Sequence, residues 1–126
     1  MIERFHPASF PPVAVPLSHA TKAGDFVFVS GQVATTADGG VLLGDFEAEV
    51  NLVLDNVEAV LAAAGARVDQ IVKIGAFLSN ATLFAQFNEV YARRFGAAPP
   101  ARTTVVLAFG RGDIRVEVEA IAYVGQ

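Results

Sequence analysis

Residues 115–122 combine charged side chains with the alternation of a β-strand. The segment reads Arg-Val-Glu-Val-Glu-Ala-Ile-Ala, and polar and apolar residues alternate over its first five positions. Because successive strand side chains point to opposite faces, Arg115, Glu117 and Glu119 are expected to share one face. Neighbouring carboxylates can transfer protons in catalysis or simply face solvent, and the alternation alone leaves both interpretations open.

Arg102 is the second residue whose type and position suggest chemistry. It follows Pro99-Pro100-Ala101 and opens a segment, residues 103–109, that carries no other charge. A guanidinium held beside apolar strands is suited to bind a small carboxylate through two hydrogen bonds. The alternative is an ordinary arginine at a strand end that pairs with a surface acid.

The separation of these two candidates depends on how the last two strands pair. If residues 103–109 and 115–124 form a tight hairpin, Val106 faces Glu117. Arg102 then lies four residues along, about 13 Å away, which is too far for one small substrate to touch both side chains. Either the two strands are not neighbours in the sheet, or the side chains reach a common pocket by another route.

The clearest helix of the chain covers residues 46–64. Its apolar side chains recur at the i, i+3, i+4, i+7 spacing of one helical face: Val50, Val53, Leu54, Val57, Val60 and Leu61. Asp45 is a candidate N-cap, and Gly65 can adopt the left-handed conformation that closes a helix.

A second helix is predicted between a capping residue and a terminating glycine. Ser79 or Asn80 caps its start, the helix continues to about Phe95, and Gly96 ends it. Residues 71–78, between the two helices, are rich in β-branched side chains and too short for a helix, so they are predicted to form a strand.

The N-terminal third is predicted to be extended. Residues 1–16 contain four of the six prolines, which favours an extended arm or loop over a helix. Ala23-Gly24-Asp25 is a turn signal between residues 17–22 and 26–29, which predicts a β-hairpin. A bend is expected at Ser30-Gly31-Gln32.

Together these elements predict one α+β domain over residues 1–126. Two strand-helix-strand connections with the usual right-handed crossover place both helices on the same face of a mixed sheet. The opposite face is then uncovered, and its apolar side chains are expected to pack against other subunits.

Composition narrows the class of function. The chain has 126 residues, of which 53% are hydrophobic and 17% charged, so it fits one domain that is rich in apolar residues for a monomer. We therefore expect an oligomer. Cysteine is absent, which excludes thiolate catalysis and cysteine-ligated metals, and His6 and His19 belong to no close metal-binding pattern. No metal or cofactor is expected.

Charge and hydropathy limit the partners. The net charge is −4 and the basic residues are spread thinly, so no nucleic-acid partner is expected. No apolar run approaches the roughly 20 residues of a membrane helix, and the N-terminus shows no secretory signal pattern. We expect a cytoplasmic protein without a membrane partner.

Five segments carry a resemblance to a known family. They are Val29-Ser30-Gly31-Gln32, Leu54-Asp55-Asn56-Val57, Phe87-Asn88-Glu89-Val90-Tyr91, Pro100-Ala101-Arg102-Thr103-Thr104 and Val116-Glu117-Val118-Glu119-Ala120-Ile121-Ala122. In these segments the chain resembles the Rid (YjgF) family of enamine and imine deaminases. The similarity extends from about Pro16 to Ala122, and the C-terminal motif is a specific one rather than a generic one.

The resemblance implies a fold, an assembly and a reaction. The fold would be chorismate-mutase-like and the protein a homotrimer with a pocket in each cleft between subunits. Arg102 would bind the carboxylate of a 2-imino or 2-enamino acid, and Glu117 would hold or activate the water that attacks the C=N carbon. The products would be a 2-keto acid and ammonia, and no cofactor is needed.

Further site residues follow from the same resemblance. Ser30, Gly31 and Asn88 would line the pocket, and the backbone near Thr104 would orient the substrate nitrogen. The chain departs from the family in one place, because Val15-Pro16-Leu17 stands where the best-studied deaminases have Gly-Pro-Tyr.

The departure bears on the choice of substrate. Leu17 is expected to favour an apolar imino-acid side chain. His19 either replaces the lost polar group or has only a structural or surface role.

Two other functions remain open at this point. One is a non-catalytic binder or sensor of small carboxylates, which needs Arg102 but not Glu117. The other is the ribonuclease or translation-inhibitor activity attributed to some members of the family, which the acidic charge balance disfavours.

Overall fold

The structure is a computed structural model that describes residues 1–125, and it contains a single six-stranded sheet with two α-helices. The elements in chain order are β1 (Glu3–Phe5), β2 (Ala20–Ala23), β3 (Phe26–Gln32), α1 (Phe46–Ala63), β4 (Ile71–Leu78), α2 (Phe84–Phe95), β5 (Ala101–Val106) and β6 (Val116–Tyr123). The strand order is β1-β2-β3-β6-β4-β5. The α+β architecture predicted from the sequence is confirmed.

The central part of the chain forms the predicted elements at nearly the predicted bounds. Helix α1 begins after Asp45, whose side chain accepts a hydrogen bond from the Glu47 backbone N–H, and it is followed by Gly65 with a φ of 79°. Ahead of α2, the Asn80 side chain accepts from the Thr82 N–H and starts a short 3-10 turn. Gly96, with a φ of 62°, ends α2. The local signals in the sequence therefore set these boundaries.

Four details differ from the sequence-based expectation. Residues 3–5 of the predicted arm form β1, which pairs with β2. Ser30-Gly31-Gln32 is the end of β3, with a shift of register against β6 in place of a free bend. The last two strands are shorter than predicted, and Arg115 precedes β6.

The last two strands are not neighbours. Strand β6 lies between β3 and β4 and is antiparallel to both, whereas β5 pairs in parallel with the outer side of β4. The hairpin of residues 103–109 with 115–124 does not form, which leaves the alternative that the two strands are separated in the sheet.

The two faces of the sheet have different surroundings. One face packs under both helices and buries the alternate residues of β6, namely Val116, Val118, Ala120 and Ala122. The opposite face carries large apolar side chains that stay exposed in the single chain, among them Phe26, Phe28, Val105 and Tyr123. An exposed apolar face of this kind is typical of a surface that packs against other protein.

Within residues 1–125, no helix has the length and apolar character needed to cross a membrane.

Candidate functional site

Arg102 is held in a fixed position at the start of β5. One terminal nitrogen of its guanidinium donates a hydrogen bond of 2.8 Å to the side-chain oxygen of Asn88 on α2. The guanidinium carbon lies 4.6 Å from the centre of the Tyr91 ring and 5.4 Å from that of Phe87. Stacking on aromatic rings restrains an arginine and leaves its other N–H groups available for a ligand.

The interpretation of Arg102 as a strand-end arginine paired with an acid is wrong for the part of the chain that the structure describes. No Asp or Glu among residues 1–125 forms an ion pair with it. Arg102 is also half-buried, so its charge is only partly solvated. An unpaired, restrained guanidinium is suited to bind an anionic group through bidentate hydrogen bonds.

Two of the predicted pocket residues lie beside Arg102. Asn88, expected to contact substrate, is the hydrogen-bond acceptor that orients the guanidinium. Thr104 is two residues further along β5, and it pairs with buried Ala76. Asn88, Arg102 and Thr104 are named the arginine group below.

Tyr91 is a member of this neighbourhood that the sequence interpretation did not single out. Its ring lies between Phe87 and Phe95 on α2, at centroid distances of 5.6 and 4.3 Å. Its hydroxyl is buried without a hydrogen-bond partner in residues 1–125, and burial raises the pKa of Tyr91. The i, i+4 spacing of aromatic residues in the helix was the available signal, but it does not reveal that an arginine packs on them.

Glu117 is the second residue of β6, on the sheet face opposite the helices. Its carboxylate lies directly over Gly31, where a Cβ atom would be 1.9 Å from the Glu117 Oε2. The glycine therefore provides the space that the carboxylate occupies. Burial raises the pKa of Glu117, and the negative charge of Glu119 raises it further.

The Glu119 carboxylate also occupies space that a glycine leaves free, in this case Gly75. A Cβ on Gly75 would be 2.8 Å from the Cγ and from the Oε2 of Glu119. The two carboxylates thus share the open sheet face, as the alternation of β6 predicts.

Arg115 does not share that face, so this part of the prediction is wrong. Its Nε donates a hydrogen bond of 2.8 Å to the Glu49 carboxylate on α1, and its backbone N–H donates to the other oxygen of the same carboxylate. Glu49 lies 66 residues earlier in the chain. No local pattern in the sequence predicts so distant a contact.

Ser30 and Leu17 lie near Gly31, on the side of Glu117. The Ser30 hydroxyl donates 2.6 Å to the Ser18 backbone oxygen, and the Ser30 N–H donates 2.9 Å to the His19 backbone oxygen. These bonds fix the segment that carries Leu17, whose residue surface is 42% exposed. Leu17, Ser30, Gly31 and Glu117 are named the glutamate group below.

Leu17 and Gly31 line one cleft of about 320 Å³ between the N-terminal segment and the end of β3. Most of its walls are apolar, and they include Phe10, Val13 and Val15. The cleft also contains His19.

His19 packs mainly against its own N-terminal segment. Its ring meets those of His6 and Phe10 edge to face, at centroid distances of 5.3 and 5.0 Å. Burial, and then the proximity of His6, lower the pKa of His19. These contacts hold the His19 ring within the N-terminal segment.

The arginine group and the glutamate group do not meet within one chain. Ile74 pairs with Arg102 on the helix-covered face, whereas Phe77, three residues further, pairs with Glu117 on the other face. Phe77 also pairs with Val105, so Arg102 is two strands and three residues from Glu117. At about 4.8 Å per strand and about 3.3 Å per residue, the Cα atoms are about 14 Å apart. A single chain therefore presents two separate candidate half-sites, the arginine group and the glutamate group.

Among residues 1–125, no three His, Asp or Glu side chains lie close enough to hold a metal ion.

The fold and the candidate site define the class of protein. It is a small α+β domain with a mixed sheet, two helices on one face, and the arginine and glutamate groups on opposite faces. The family described as Endoribonuclease L-PSP matches residues 8–124. The RutC family protein PH0854 of Pyrococcus horikoshii is 39% identical over 109 residues, which cover 86% of each chain. The chain belongs to the Rid family, also known as the YjgF or L-PSP family, as its sequence motifs predict.

Similarity to solved structures supports the same family assignment. The crystal structure of YEO7 of yeast superposes with a TM-score of 0.93 at 34% identity, over 99% of this chain and all of that one. Escherichia coli TdcF, named a "putative reactive intermediate deaminase", is 36% identical over 110 residues, 85% of each chain. A crystal structure of TdcF with bound serine superposes with a TM-score of 0.89 at 31% identity, covering 98% of this chain and 99% of that one.

Proposed function

We propose that the protein is a cofactor-independent deaminase that hydrolyses 2-imino and 2-enamino acids, released by pyridoxal-phosphate enzymes, to 2-keto acids and ammonia. The observation that carries the proposal is that one chain holds both a cationic group suited to bind an anion, Arg102, and a carboxyl group suited to transfer protons, Glu117. Arg102 is restrained and free of acidic partners within residues 1–125, and the pKa of Glu117 is raised. An anion anchor and a proton carrier are what this hydrolysis requires.

Arg102 would supply the position of the substrate. Its free N–H groups can bind both oxygens of the substrate carboxylate, with the guanidinium already oriented by Asn88 and the Tyr91 ring. Because the arginine is ordered before the substrate binds, little side-chain entropy is lost on binding. The backbone at Thr104 is near enough along β5 to orient the substrate nitrogen.

Glu117 would supply the proton transfers. A water molecule adds to the C=N carbon while Glu117 takes a proton from it, and the same proton passes to the nitrogen. The hydroxyl proton of the tetrahedral intermediate then passes through Glu117 to the nitrogen as the C–N bond breaks, so that the C=O bond forms and ammonia leaves. An enamine first takes a proton on carbon and loses one from nitrogen, which gives the imine. A carboxyl group with a raised pKa is better matched to both halves of this transfer near neutral pH.

The two half-sites would meet between subunits. Because Arg102 and Glu117 lie on opposite sheet faces of one chain, a common substrate requires the arginine group of one copy beside the glutamate group of another. The exposed apolar sheet face, which includes Phe28 and Tyr123, offers the packing surface. We propose the homotrimer that the family resemblance implies, with each site in the cleft between two subunits.

Leu17 would set the preference for the substrate side chain. It lies in a mainly apolar cleft that reaches Gly31, directly beneath the Glu117 carboxylate. We therefore propose that imino acids with apolar side chains are preferred. The absence of nucleic-acid and membrane partners and the cytoplasmic location remain predictions from the sequence.

A coupled assay tests the reaction. An amino-acid oxidase or dehydratase generates the imine, and the rate of 2-keto-acid release is followed with and without the protein. We expect acceleration by the wild type and none by Arg102→Ala. If no amino acid yields an accelerated rate, or Arg102→Ala accelerates as well as the wild type, the protein is not this deaminase.

A non-catalytic carboxylate binder is the second candidate. It is favoured by the separation of the half-sites, since the arginine group is complete in one chain without Glu117. Comparing the wild type with Glu117→Gln distinguishes the two: in a deaminase the wild type turns over, and the substitution abolishes turnover while keeping the affinity for a 2-keto acid, measured by calorimetry. A binder has no turnover to lose and keeps the same affinity.

A further inference from the structure

The start of β6, where Glu117 lies, is supported by a neighbouring strand on one side only. The pairing of β3 with β6 ends at Gln32 and Val118. Val116 and Glu117 pair with Leu78 and Phe77 of β4 and with no residue of β3. Strand ends with a single partner strand fray more readily than the strand interior.

An ion pair between half-buried Arg115 and a buried carboxylate holds the residue that precedes this strand end. The Glu49 carboxylate accepts from the Arg115 backbone N–H at 3.2 Å and from its Nε at 2.8 Å. A guanidinium N–H of Arg115 also donates 2.6 Å to the Gly44 backbone oxygen, and the Ser79 N–H donates 3.0 Å to the Arg115 backbone oxygen. Residue 115 is thus fixed through its N–H, its C=O and its side chain.

Glu49, the partner of Arg115 on α1, is held in place by burial and by its position in the helix. Glu49 is 1% exposed and lies in the first turn of α1, where the helix dipole favours a negative charge. Phe46 lies under the Arg115 guanidinium, with 5.2 Å between the guanidinium carbon and the ring centre. Removing Arg115 leaves a buried carboxylate without its compensating charge, which is unfavourable enough to change the local structure.

We infer that Glu49 and Arg115 are positioning residues for Glu117. The ion pair takes the place of the missing β3 neighbour and fixes where β6 starts, two residues before the carboxylate that lies over Gly31. Its effect on turnover rests on the deaminase function proposed above. Its effect on the order of the strand end does not depend on that function.

The test compares Arg115→Met with Arg94→Met as a matched control. Arg94, on α2, bonds to Asn51 and Asp55 of α1, so its replacement also breaks an arginine contact to the same helix, but away from β6. We expect Arg115→Met to lower kcat about tenfold with KM changed less than twofold, because Arg102 is untouched. Arg94→Met is expected to change kcat less than twofold.

Amide hydrogen exchange gives a readout that does not need activity. In Arg115→Met, the amides of residues 116–118 are expected to exchange about tenfold faster than in the wild type, and Arg94→Met leaves them unchanged. Unchanged exchange at residues 116–118, or an equal fall in kcat in both variants, overturns the inference. An inactive wild type with faster exchange in Arg115→Met refutes the deaminase and supports the positioning role.

Two further variants cover the possibility that Arg115→Met does not fold. Glu49→Gln keeps an acceptor for Arg115 but removes the charge, and it is expected to produce the same changes to a smaller extent. Arg115→Lys keeps the charge and is expected to recover part of the kcat that Arg115→Met loses. If neither Glu49→Gln nor Arg115→Lys changes kcat or exchange, the ion pair has no positioning role.

Discussion

The replacement Gly31→Ala tests the placement of Glu117 with one methyl group. An added Cβ would be 1.9 Å from the Glu117 Oε2, where ordinary contact begins at 3.4 Å. The carboxylate oxygen must therefore retreat by about 1.5 Å from its present position. Because the displaced atoms are the end of a flexible side chain, the fold is expected to lose less than about 1 kcal/mol of unfolding free energy.

The catalytic loss is expected to be much larger than the loss of stability. A displacement of more than an ångström at a proton-transferring group lowers the rate by about a hundredfold. We therefore expect kcat of Gly31→Ala to fall by about that factor, with KM changed little because Arg102 still binds the substrate carboxylate. The assay is imine hydrolysis coupled to an amino-acid oxidase, with urea unfolding as the stability measurement.

Gly75→Ala is the control for this substitution. Its added Cβ would be 2.8 Å from Glu119 and would displace that carboxylate while leaving the space over Gly31 unchanged. We expect a fall in kcat of less than about fivefold. The assigned placement of Glu117 is refuted if Gly31→Ala stays folded with kcat within twofold of the wild type, or if the two alanine variants lose activity equally.

Three other substitutions test the electrostatics and the cleft. In Glu119→Gln the neighbouring negative charge is removed, so the pKa of Glu117 is expected to fall. The acid limb of the pH profile of kcat/KM should then move to lower pH. If that limb does not move, the two carboxyl groups are not coupled in this way. Leu17→Tyr should lower the preference for the imine of leucine over that of serine by roughly tenfold, measured as the ratio of kcat/KM values. In His19→Phe the loss of stability on acidification should be smaller than in the wild type. The pKa of His19 is lowered on folding, so the unfolded chain binds more protons and stability falls as pH decreases from about 6.5 through the folded-state pKa; equal urea midpoint shifts between pH 7.5 and 5 contradict this.

The sequence predicts the elements whose signals are local. The apolar spacing and the Asp45 cap define α1, and residues 71–78 form β4 as predicted. Strand β1 was missed because residues 3–5 show no alternation, and their pairing with β2 depends on residues about 15 to 19 positions later. Local patterns carry no information about such pairing.

The resemblance named the candidate site residues, but it did not predict how one chain arranges them. Arg102 and Glu117 point to opposite faces because of the registers in which β5 and β6 each pair with β4, and these pairings join residues far apart in the sequence. The same holds for Arg115, which the alternation of β6 placed beside Glu117 and which the Glu49 carboxylate draws to α1. Tertiary contacts overrode the local pattern in both places.

In the proposed deaminase, each site takes Arg102 from one subunit and Glu117 from another. Mixing the inactive variants Arg102→Ala and Glu117→Gln tests it directly, after the two are unfolded together in equal amounts and refolded. Random assembly should give sites in which one variant supplies an intact arginine and the other an intact glutamate, with about a quarter of the wild-type activity. A mixture as inactive as either variant alone, although shown by mass to contain mixed oligomers, would contradict the shared site.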